Sequence, residues 1–434
     1  MTDPRYLAVK LLNKTFSGSG YSNLQLSGGL DNSDMEERDR KLCSALYYGV
    51  IERRITLDHI IGGLSSRPVA KLDSAVLNIL RCGIYQILYM ENIPDSAAVN
   101  ESVALARKFS KTSASGMINA ILRNFIRSGK EYKLPKNLQD AASVKYSAPV
   151  ELIKSLTDDY GRELAENLLE DALTAPPVII RRNPLLCGES ELIAALGGIT
   201  AEKLDFPENA YRLGGGDVTS AEAFRKGFFH VQDIASQLCC MAVAPTENDT
   251  VLDLCAAPGG KTFTMAELMD GKGEIYAFDL HEKRVGLIKK GADRLHLTNI
   301  KAAVGEASVF NPKLPVFTKI LCDVPCSGLG AIRRKPEIKY KNSADFSGLP
   351  DIQYRIAENA LNYLAEGGEL VYSTCTLRKA ENDEVCDRLL AEHGDIIEPV
   401  KLPSVLGERF GTRASIFPCH FGSDGFFIAK FRRK

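Results

Sequence analysis

The stretch Asp253-Leu254-Cys255-Ala256-Ala257-Pro258-Gly259-Gly260-Lys261-Thr262 indicates the fold of the C-terminal half of the chain. It follows the apolar pair Val251-Leu252 and precedes a helical pattern from Phe263 to Met269. A strand, a tight turn of small residues and a helix present nucleotide-like ligands at the carboxyl ends of the strands in α/β sheets. The glycine patterns of dinucleotide and phosphate loops are missing, because no Gly stands five residues before Gly260. The turn therefore favours an uncharged or zwitterionic cosubstrate over a phosphate chain.

The next predicted strand, Glu274–Asp279, ends in an acidic residue. Asp279 lies roughly 20 residues beyond Gly260, the spacing at which an acid meets the hydroxyl pair of a ribose. An Asp after a strand is also a common turn or helix-capping residue. The turn upstream favours ribose binding over that alternative.

Two cysteines follow two further predicted strands. Cys326 lies in Asp323-Val324-Pro325-Cys326-Ser327-Gly328, and Cys375 lies in Ser373-Thr374-Cys375-Thr376. A cysteine is most often a small buried hydrophobic residue. Two of them at strand ends beside a cosubstrate loop instead predict a reactive site, because an open α/β sheet binds ligands at that edge.

These three motifs, in this order, resemble the RNA (cytosine-5) methyltransferases that use S-adenosylmethionine. Within that family the chain is similar to the bacterial ribosomal small-subunit RNA methyltransferase B group, also called Sun or Fmu. Two further segments, Met117–Phe125 and Val231–Gln237, match the group as well, so the resemblance covers nearly the whole chain. It implies an α/β, Rossmann-like methyltransferase domain with a mainly parallel twisted sheet. It also implies an N-terminal all-helical domain like the antitermination factor NusB, and a small α+β linker subdomain.

The resemblance also implies residue roles. Cys375 is the nucleophile, Cys326 assists release of the methylated product, and Asp323 contacts the cytosine edge near nitrogen 3. Lys261 stands beside the active site, where a cation favours a thiolate and the RNA phosphate. The cosubstrate residues that the resemblance implies are Cys255, Ala256, Ala257, Pro258, Gly259, Gly260, Lys261, Asp279, Glu306 and Asp323. Glu306 stands where the family usually has an Asp beside the adenine, so its side chain is one methylene longer.

Composition is typical of a globular protein with two or three domains. The chain has 434 residues, 45% of them hydrophobic and 25% charged, and a net charge of −1. Eleven cysteines without an even framework spacing indicate free thiols in a reducing compartment, so we expect a cytoplasmic protein. We expect no metal site, no signal peptide and no membrane span. Residues 1–150 carry 20 Lys/Arg and 14 Asp/Glu, a modest basic excess that suits RNA recruitment but is also ordinary for a solvated surface.

Apolar periodicity predicts helices through residues 1–130, with turn-rich breaks at Gly18–Gly29 and Ser65–Pro68. We interpret residues 1–130 as the NusB-like RNA-binding domain and 131–228 as the linker and small α+β subdomain. Residues 229–434 form the methyltransferase domain. Residues 131–145 read as a linker containing Pro135.

The predicted function is methylation of carbon 5 of a cytosine in 16S ribosomal RNA, free or in an assembling small subunit, by a monomer. One alternative is the same chemistry on transfer RNA or DNA. DNA enzymes use the Pro-Cys cysteine and lack the second one, and transfer-RNA enzymes usually lack the NusB-like region. A non-catalytic ribosome-assembly or antitermination factor is a second alternative, against which the intact Cys326, Cys375 and Asp323 argue. Hydride transfer with a dinucleotide is disfavoured by the missing glycine pattern.

Overall fold

The computed structural model describes residues 2–18, 22–215 and 218–434. The chain forms two compact units. The first comprises Met1–Thr174 with Ile332–Lys341, and the second comprises Ala175–Ala331 with Asn342–Lys434. Within the described ranges, no helix has both the length and the apolar character needed to cross a membrane.

The first unit is helical, with ten α-helices in its described residues. They are α1 (Pro4–Phe16), α2 (Ser22–Asp31), α3 (Glu37–Glu52), α4 (Arg54–Leu64), α5 (Ser74–Tyr89), α6 (Asp95–Lys108), α7 (Ser115–Arg127), α8 (Leu138–Tyr146), α9 (Val150–Tyr160) and α10 (Arg162–Asp171). The predicted break at Ser65–Pro68 is confirmed, because α4 ends at Leu64. This agrees with the all-helical N-terminal region expected from the sequence.

Helix α5 is central to the core of this unit. Its N-cap Asp73 accepts hydrogen bonds from the Ala75 and Val76 N–H groups, which satisfies backbone donors that the helix itself cannot pair. Gly83 allows neighbouring helices to approach closely. A Cβ at this position would lie 2.8 Å from the Leu122 side chain of α7 and 2.9 Å from the Ser102 hydroxyl of α6.

Two predictions of irregular structure in this unit are wrong, because both segments contain a helix. The predicted break at Gly18–Gly29 contains most of helix α2, and residues 19–21 of it lie outside the described residues. The helix forms because Leu26 is buried in the helical core, and this packing outweighs the low helix propensity of glycine. The 131–145 linker contains helix α8, which begins after the N-cap Asn137. Val144 and Tyr146 bury the inner face of that helix.

The segment Ile332–Lys341 belongs to the helical unit although it lies between the two cysteine motifs in sequence. Lys339 is 2% exposed and donates from Nζ to the Glu52 carbonyl at 2.7 Å. Tyr340 donates its hydroxyl to the same carbonyl at 3.2 Å, and the Arg54 guanidinium lies 3.9 Å from the centre of its ring. Burial lowers the pKa of Lys339 to about 7. The helical unit therefore includes a segment from the C-terminal half of the sequence.

The second unit contains alternating strands and helices. They are β1 (Val178–Arg182), α11 (Glu189–Ala195), β2 (Ala201–Lys203), β3 (Ala210–Leu213), α12 (Glu222–Arg225), β4 (Phe229–Val231), α13 (Ile234–Val243), β5 (Thr250–Asp253), α14 (Gly260–Leu268), β6 (Glu274–Asp279), α15 (Glu282–Arg294), β7 (Ile300–Val304), β8 (Phe317–Asp323), α16 (Leu349–Leu361), β9 (Leu364–Thr374), α17 (Asp383–His393), β10 (Ile397–Pro399), α18 (Ser404–Phe410), β11 (Arg413–Ile416), α19 (Pro418–Phe421) and β12 (Phe426–Arg433). Among the described residues, β1–β4 form an antiparallel sheet of order β2-β3-β1-β4.

The larger sheet has the order β10-β12-β9-β8-β5-β6-β7, with β11 paired to β12. Strands β7, β6, β5, β8 and β9 are parallel, while β12 runs antiparallel to its neighbours β9, β10 and β11. From β5 the chain proceeds to β6 and β7 on one side and then to β8 and β9 on the other. Such a reversal opens a crevice at the carboxyl ends of the strands. The expected mainly parallel sheet is confirmed, and four of its strands end at that edge in Asp253, Asp279, Asp323 and Thr374.

Candidate active site

The predicted cosubstrate loop joins β5 to helix α14. Gly259 has φ +111°, and a Cβ there would lie 2.4 Å from the Phe263 ring, so both backbone conformation and space require glycine. The Ala256 N–H donates to the Phe278 carbonyl of β6 at 2.8 Å. The backbone of residues 255–261 is therefore fixed between the ends of two parallel strands.

Asp253 is the last residue of β5 and is 1% exposed. Its Oδ2 accepts from the Thr262 hydroxyl at 2.7 Å, whereas Oδ1 is buried and makes no well-formed hydrogen bond within the described part of the chain. Burial raises the pKa of this carboxyl to about 7, and the Thr262 hydroxyl and the Cys255 N–H offset that effect only in part. Asp253 opens the predicted loop motif but was not among the residues assigned to the site from the sequence. Its position as the acid that opens the motif is the signal that could have identified it.

Asp279 ends β6 and is 3% exposed. Its carboxylate lies 3.2 Å from Arg284 Nη1 and accepts from the His281 N–H at 3.2 Å. Arg284 also donates to the Ala257 carbonyl at 2.8 Å. Arg284, which the sequence analysis did not identify, thus connects the predicted ribose acid to the predicted cosubstrate loop.

Glu306 lies in an exposed turn after β7. The Gly305 N–H donates to the Asp279 carbonyl at 3.1 Å, which places this turn beside the end of β6. The Glu306 carboxylate accepts from the Ser308 hydroxyl at 3.1 Å. The longer side chain is therefore held within its own turn, next to the predicted ribose position.

Lys261 and Asp323 form an ion pair at the centre of the edge. Lys261 Nζ donates to Asp323 Oδ2 at 2.7 Å, and the Ser373 hydroxyl donates to Asp323 Oδ1 at 2.9 Å. Burial lowers the pKa of Lys261, but the attraction of Asp323 outweighs burial and the net shift is upward, so this residue keeps its positive charge. Both oxygens of Asp323 act as acceptors here.

The two predicted cysteines are in contact: Cys326 Sγ lies 3.2 Å from Cys375 Sγ. The hydrogen bond to Cys375 raises the pKa of Cys326 well above its usual value, and burial and the charges of Glu381 and Asp323 add to the shift. These effects favour the protonated thiol at Cys326, and either sulfur can donate to the other in this contact.

The structure brings together residues from all three motifs. Lys261 meets Asp323, Asp323 meets Ser373, and Ser373 is two residues from Cys375, whose sulfur meets Cys326. Asp279 and Glu306 join this group through the backbone and through Arg284. Ser373 was not assigned to the site from the sequence. Its place before the second cysteine, in the same motif, is the signal that could have identified it.

The residues of this edge fit S-adenosylmethionine, which the resemblance implies. Its ammonium group would supply the missing donor for Asp253 Oδ1 and favour the charged carboxylate. The Asp279 carboxylate offers acceptors for the ribose diol. Leu280, which follows it, is 56% exposed and offers an apolar face for the adenine ring.

Comparison with known proteins gives two family matches. The family described as 16S rRNA methyltransferase RsmB/F matches residues 240–432, and the NusB family matches residues 2–127. The probable ribosomal RNA small subunit methyltransferase B of Bacillus subtilis (strain 168) is 36% identical, over 100% of this chain and 99% of that protein. The ribosomal RNA small subunit methyltransferase B of Pseudomonas putida KT2440 is 33% identical, over 99% of this chain and 98% of that protein.

Two solved structures are similar. The crystal structure of PH0851 has a TM-score of 0.82 at 24% identity and covers 99% of each chain, a likeness that shows the fold. The methyltransferase homolog protein from Pyrococcus horikoshii has a TM-score of 0.60 at 27% identity. It covers 69% of this chain and 100% of its own.

Proposed function

The chain belongs to the RsmB/F family of 16S rRNA methyltransferases, and from this premise we propose that it methylates carbon 5 of a cytosine through a covalent bond to Cys375. As a member of this family it is an enzyme, a methyltransferase that acts on ribosomal RNA and uses S-adenosylmethionine. The proposal adds the target atom and the route.

The observation that carries the proposal is the contact of 3.2 Å between Cys326 Sγ and Cys375 Sγ. Carbon 5 of cytosine is too weak a nucleophile to take a methyl group directly. Addition of a thiolate to carbon 6 converts the ring into an enamine, which makes carbon 5 reactive and divides one difficult step into two easier ones. Methylation of an oxygen or an exocyclic nitrogen needs no thiol, so a pair of thiols at the cosubstrate edge favours carbon 5.

Each residue has a distinct role in this route. Cys375 gives up its thiol proton to solvent and adds to carbon 6 as the thiolate. Asp323 accepts a hydrogen bond from Ser373, two residues before Cys375, and contacts the nitrogen 3 edge of the base. Lys261 holds the Asp323 carboxylate in place. A solvent water then takes the carbon 5 proton, and the electron pair of that bond restores the double bond between carbons 5 and 6 as the bond between carbon 6 and the Cys375 sulfur breaks. Cys326 then donates a hydrogen bond to the leaving sulfur of Cys375, which assists release.

Residues 255–261, Asp253, Asp279 and Glu306 would hold the cosubstrate. When bound, S-adenosylmethionine supplies an electrophilic methyl group on a sulfonium. The loop backbone and Asp253 bind its amino-acid part, Asp279 binds the ribose hydroxyls, and Glu306 approaches the adenine amino group. This assignment is supported by Asp253 Oδ1, which makes no well-formed hydrogen bond within the described residues, and by the Arg284 link between Asp279 and the loop.

We propose the same three-part organisation that the sequence predicts: 1–130 as an RNA-docking domain, 131–228 as a linker and small α+β subdomain, and 229–434 as the methyltransferase domain. The two family matches end at residue 127 and begin at residue 240, leaving the antiparallel sheet β1–β4 between them. The substrate is 16S ribosomal RNA, free or in an assembling small subunit. The enzyme acts in the cytoplasm as a monomer.

The test is methylation of 16S ribosomal RNA from cells that lack the gene, followed by bisulfite sequencing. We expect 5-methylcytosine at a defined position with the native enzyme and none with Cys375→Ala. Methyl transfer to another atom of the base, or full activity of Cys375→Ala, would contradict the proposal. A higher kcat/KM on transfer RNA than on ribosomal RNA would favour the alternative substrate.

A further inference from the structure

Glu381 is hydrogen-bonded to the turn that carries Cys326. Its side chain is fully buried, and its Oε2 accepts from the Ser327 N–H at 2.8 Å. The same oxygen accepts from Gln353 Nε2 at 3.0 Å, and Gln353 Nε2 also donates to the Pro325 carbonyl at 2.9 Å. The residues before and after Cys326 are therefore both tied to one carboxylate, directly or through one amide.

Asn382, the next residue, contacts the turn that carries Cys375. It is also fully buried. Its Oδ1 accepts from the Thr374 hydroxyl at 2.6 Å, and its Nδ2 donates to the Thr376 carbonyl at 3.0 Å. The residues before and after Cys375 are thus both tied to one amide side chain.

Further contacts hold the pair Glu381–Asn382 and the two turns together. The Tyr372 hydroxyl donates to the Glu381 carbonyl at 2.5 Å. The Ser327 and Thr376 hydroxyls lie 2.8 Å apart, and the Gly330 N–H donates to the Cys375 carbonyl at 3.0 Å. Two adjacent residues therefore support two turns that are 49 residues apart in sequence.

We propose that Glu381 and Asn382 are positioning residues that hold the Cys326 and Cys375 sulfurs in contact for the thiol-dependent steps of methyl transfer. The inference rests on the proposed function for its catalytic meaning, but the sulfur spacing itself is a property of the free protein. Buried polar side chains of this kind keep their geometry because each lost hydrogen bond leaves an unpaired group in the interior.

Glu381 adds a charge to this geometry. Its carboxylate is one of the groups that raise the pKa of Cys326, after the Cys375 hydrogen bond and burial. Arg378 Nη1 pairs with the other oxygen, Oε1, at 3.0 Å. The side of the carboxylate that faces the Cys326 turn therefore favours the protonated thiol there, which is the form that can donate to Cys375.

The test measures the two sulfurs without any RNA. A bifunctional thiol reagent such as dibromobimane bridges two cysteines that lie within a few ångströms, and peptide mapping identifies the bridged pair. We expect rapid bridging of Cys326 to Cys375 in the native enzyme. Asn382→Ala should slow it at least about tenfold, as expected from loss of buried hydrogen bonds. Glu384→Gln is the control, because this acid lies three residues along on the exposed face of α17.

Glu381→Gln separates charge from geometry, because an amide oxygen can still accept from the Ser327 N–H. We expect bridging to be retained and the pH profile of Cys326 alkylation to move to lower pH, a shift that a merely structural residue would not produce. In methylation assays both variants should lower kcat while leaving the KM for S-adenosylmethionine unchanged.

Bridging at the native rate in Asn382→Ala, together with an unmoved pH profile in Glu381→Gln, would overturn the inference. Thermal unfolding of each variant identifies loss of fold, and the isosteric Glu381→Gln keeps the inference testable if Asn382→Ala fails to fold. If bridging changes as expected while Cys375→Ala stays fully active, the proposed function fails and the positioning role stands.

Discussion

Arg81 of the helical unit and Asp253 at the carboxyl edge of the parallel sheet are both buried, but their charges are paired to different extents. In the helical unit, Arg81 is 7% exposed and meets Asp58 through two hydrogen bonds of 2.7 and 2.6 Å, with a third to Asn78. At the sheet edge, Asp253 is 1% exposed, and within the described residues its Oδ1 makes no well-formed hydrogen bond. A buried charge that is fully paired is a packing feature, whereas an unpaired one has a cost that a ligand can remove.

A second contrast concerns the thiols. Cys43 and Cys82 are buried among apolar side chains of the helical core, and burial raises the pKa of each to about 12. Cys326 and Cys375 are partly exposed and face each other at the ends of two strands. We therefore expect the two edge cysteines to be reactive and the two core cysteines to be inert, because access and contact with a second thiol distinguish them, whereas a raised thiol pKa does not.

The largest effect is expected from the two edge cysteines. Cys375→Ala should abolish both turnover and any covalent RNA adduct. Cys326→Ala should stall after methyl transfer and accumulate an adduct through Cys375 that survives denaturing electrophoresis. Losing the nucleophile blocks entry to the covalent path, whereas losing the release group blocks its exit.

The matched control is Cys82→Ala in the helical core, which should change stability and leave the adduct pattern unchanged. The double variant of Cys326 and Cys375 should form no adduct. An adduct in Cys375→Ala and none in Cys326→Ala would assign the nucleophile to Cys326.

A second test compares two partly buried ion pairs of the same unit. Lys261→Met removes the partner of Asp323, and we expect kcat to fall roughly 10- to 100-fold, as for the loss of a charged hydrogen bond of about 1.5–3 kcal/mol. Lys319→Met removes a partner of Glu369, which Lys430 and Arg432 continue to neutralise. Single-turnover rates should be near native for Lys319→Met, and equal losses in both variants would remove the special status of the edge.

Asp253 predicts a pH dependence of stability. Burial raises the pKa of the folded carboxyl to about 7 from the ordinary 3.8, so the unfolded chain loses its proton first as pH rises. Stability present below pH 4 is therefore lost between about pH 4 and 7, by roughly 4 kcal/mol in total. Asp253→Asn lacks this loss, so urea unfolding from pH 4 to 8 should show its stability rising relative to the native protein. A constant difference across that range would contradict the raised pKa.

The ribose acid should give a smaller effect. Asp279→Ala should weaken binding of S-adenosylhomocysteine by about 1–3 kcal/mol through loss of a charged acceptor. Glu274→Ala is the control, because Glu274 begins the same strand and pairs with Lys301 at its far end. Calorimetric titration measures both. Tighter binding of NAD than of S-adenosylhomocysteine by the native protein would reject the cosubstrate assignment.

The smallest effect is expected from the basic surface of the helical unit. Arg123 and Arg127 lie on α7, and both are exposed. Each donates a hydrogen bond to an Asn side chain of the same helix. Their joint replacement by Glu should raise the KM for ribosomal RNA about three- to tenfold at low salt and leave cosubstrate affinity unchanged. Lys41→Glu on α3 serves as the charge control. An unchanged KM would indicate that α7 does not dock RNA.

The sequence predicted the residues at the carboxyl edge of the sheet better than the buried residues that hold them in position. The strand-end positions of Cys326, Cys375 and Asp279 follow from a parallel sheet, because its strands all end at one edge. Glu381 and Asn382 were missed because their role depends on contacts across two turns that no spacing rule reveals. Helices α2 and α8 were missed for a related reason: tertiary burial of Leu26 and Tyr146 decides their conformation over local propensity.

The segment Ile332–Lys341 makes the gene hard to divide. A protein that lacks residues 1–130 would keep this segment but lose helices that pack around Lys339 and Tyr340. The Lys339 ammonium and the Tyr340 ring would then be exposed to water. Expression of the methyltransferase half alone therefore needs a second cut, in which a short flexible linker replaces 332–341.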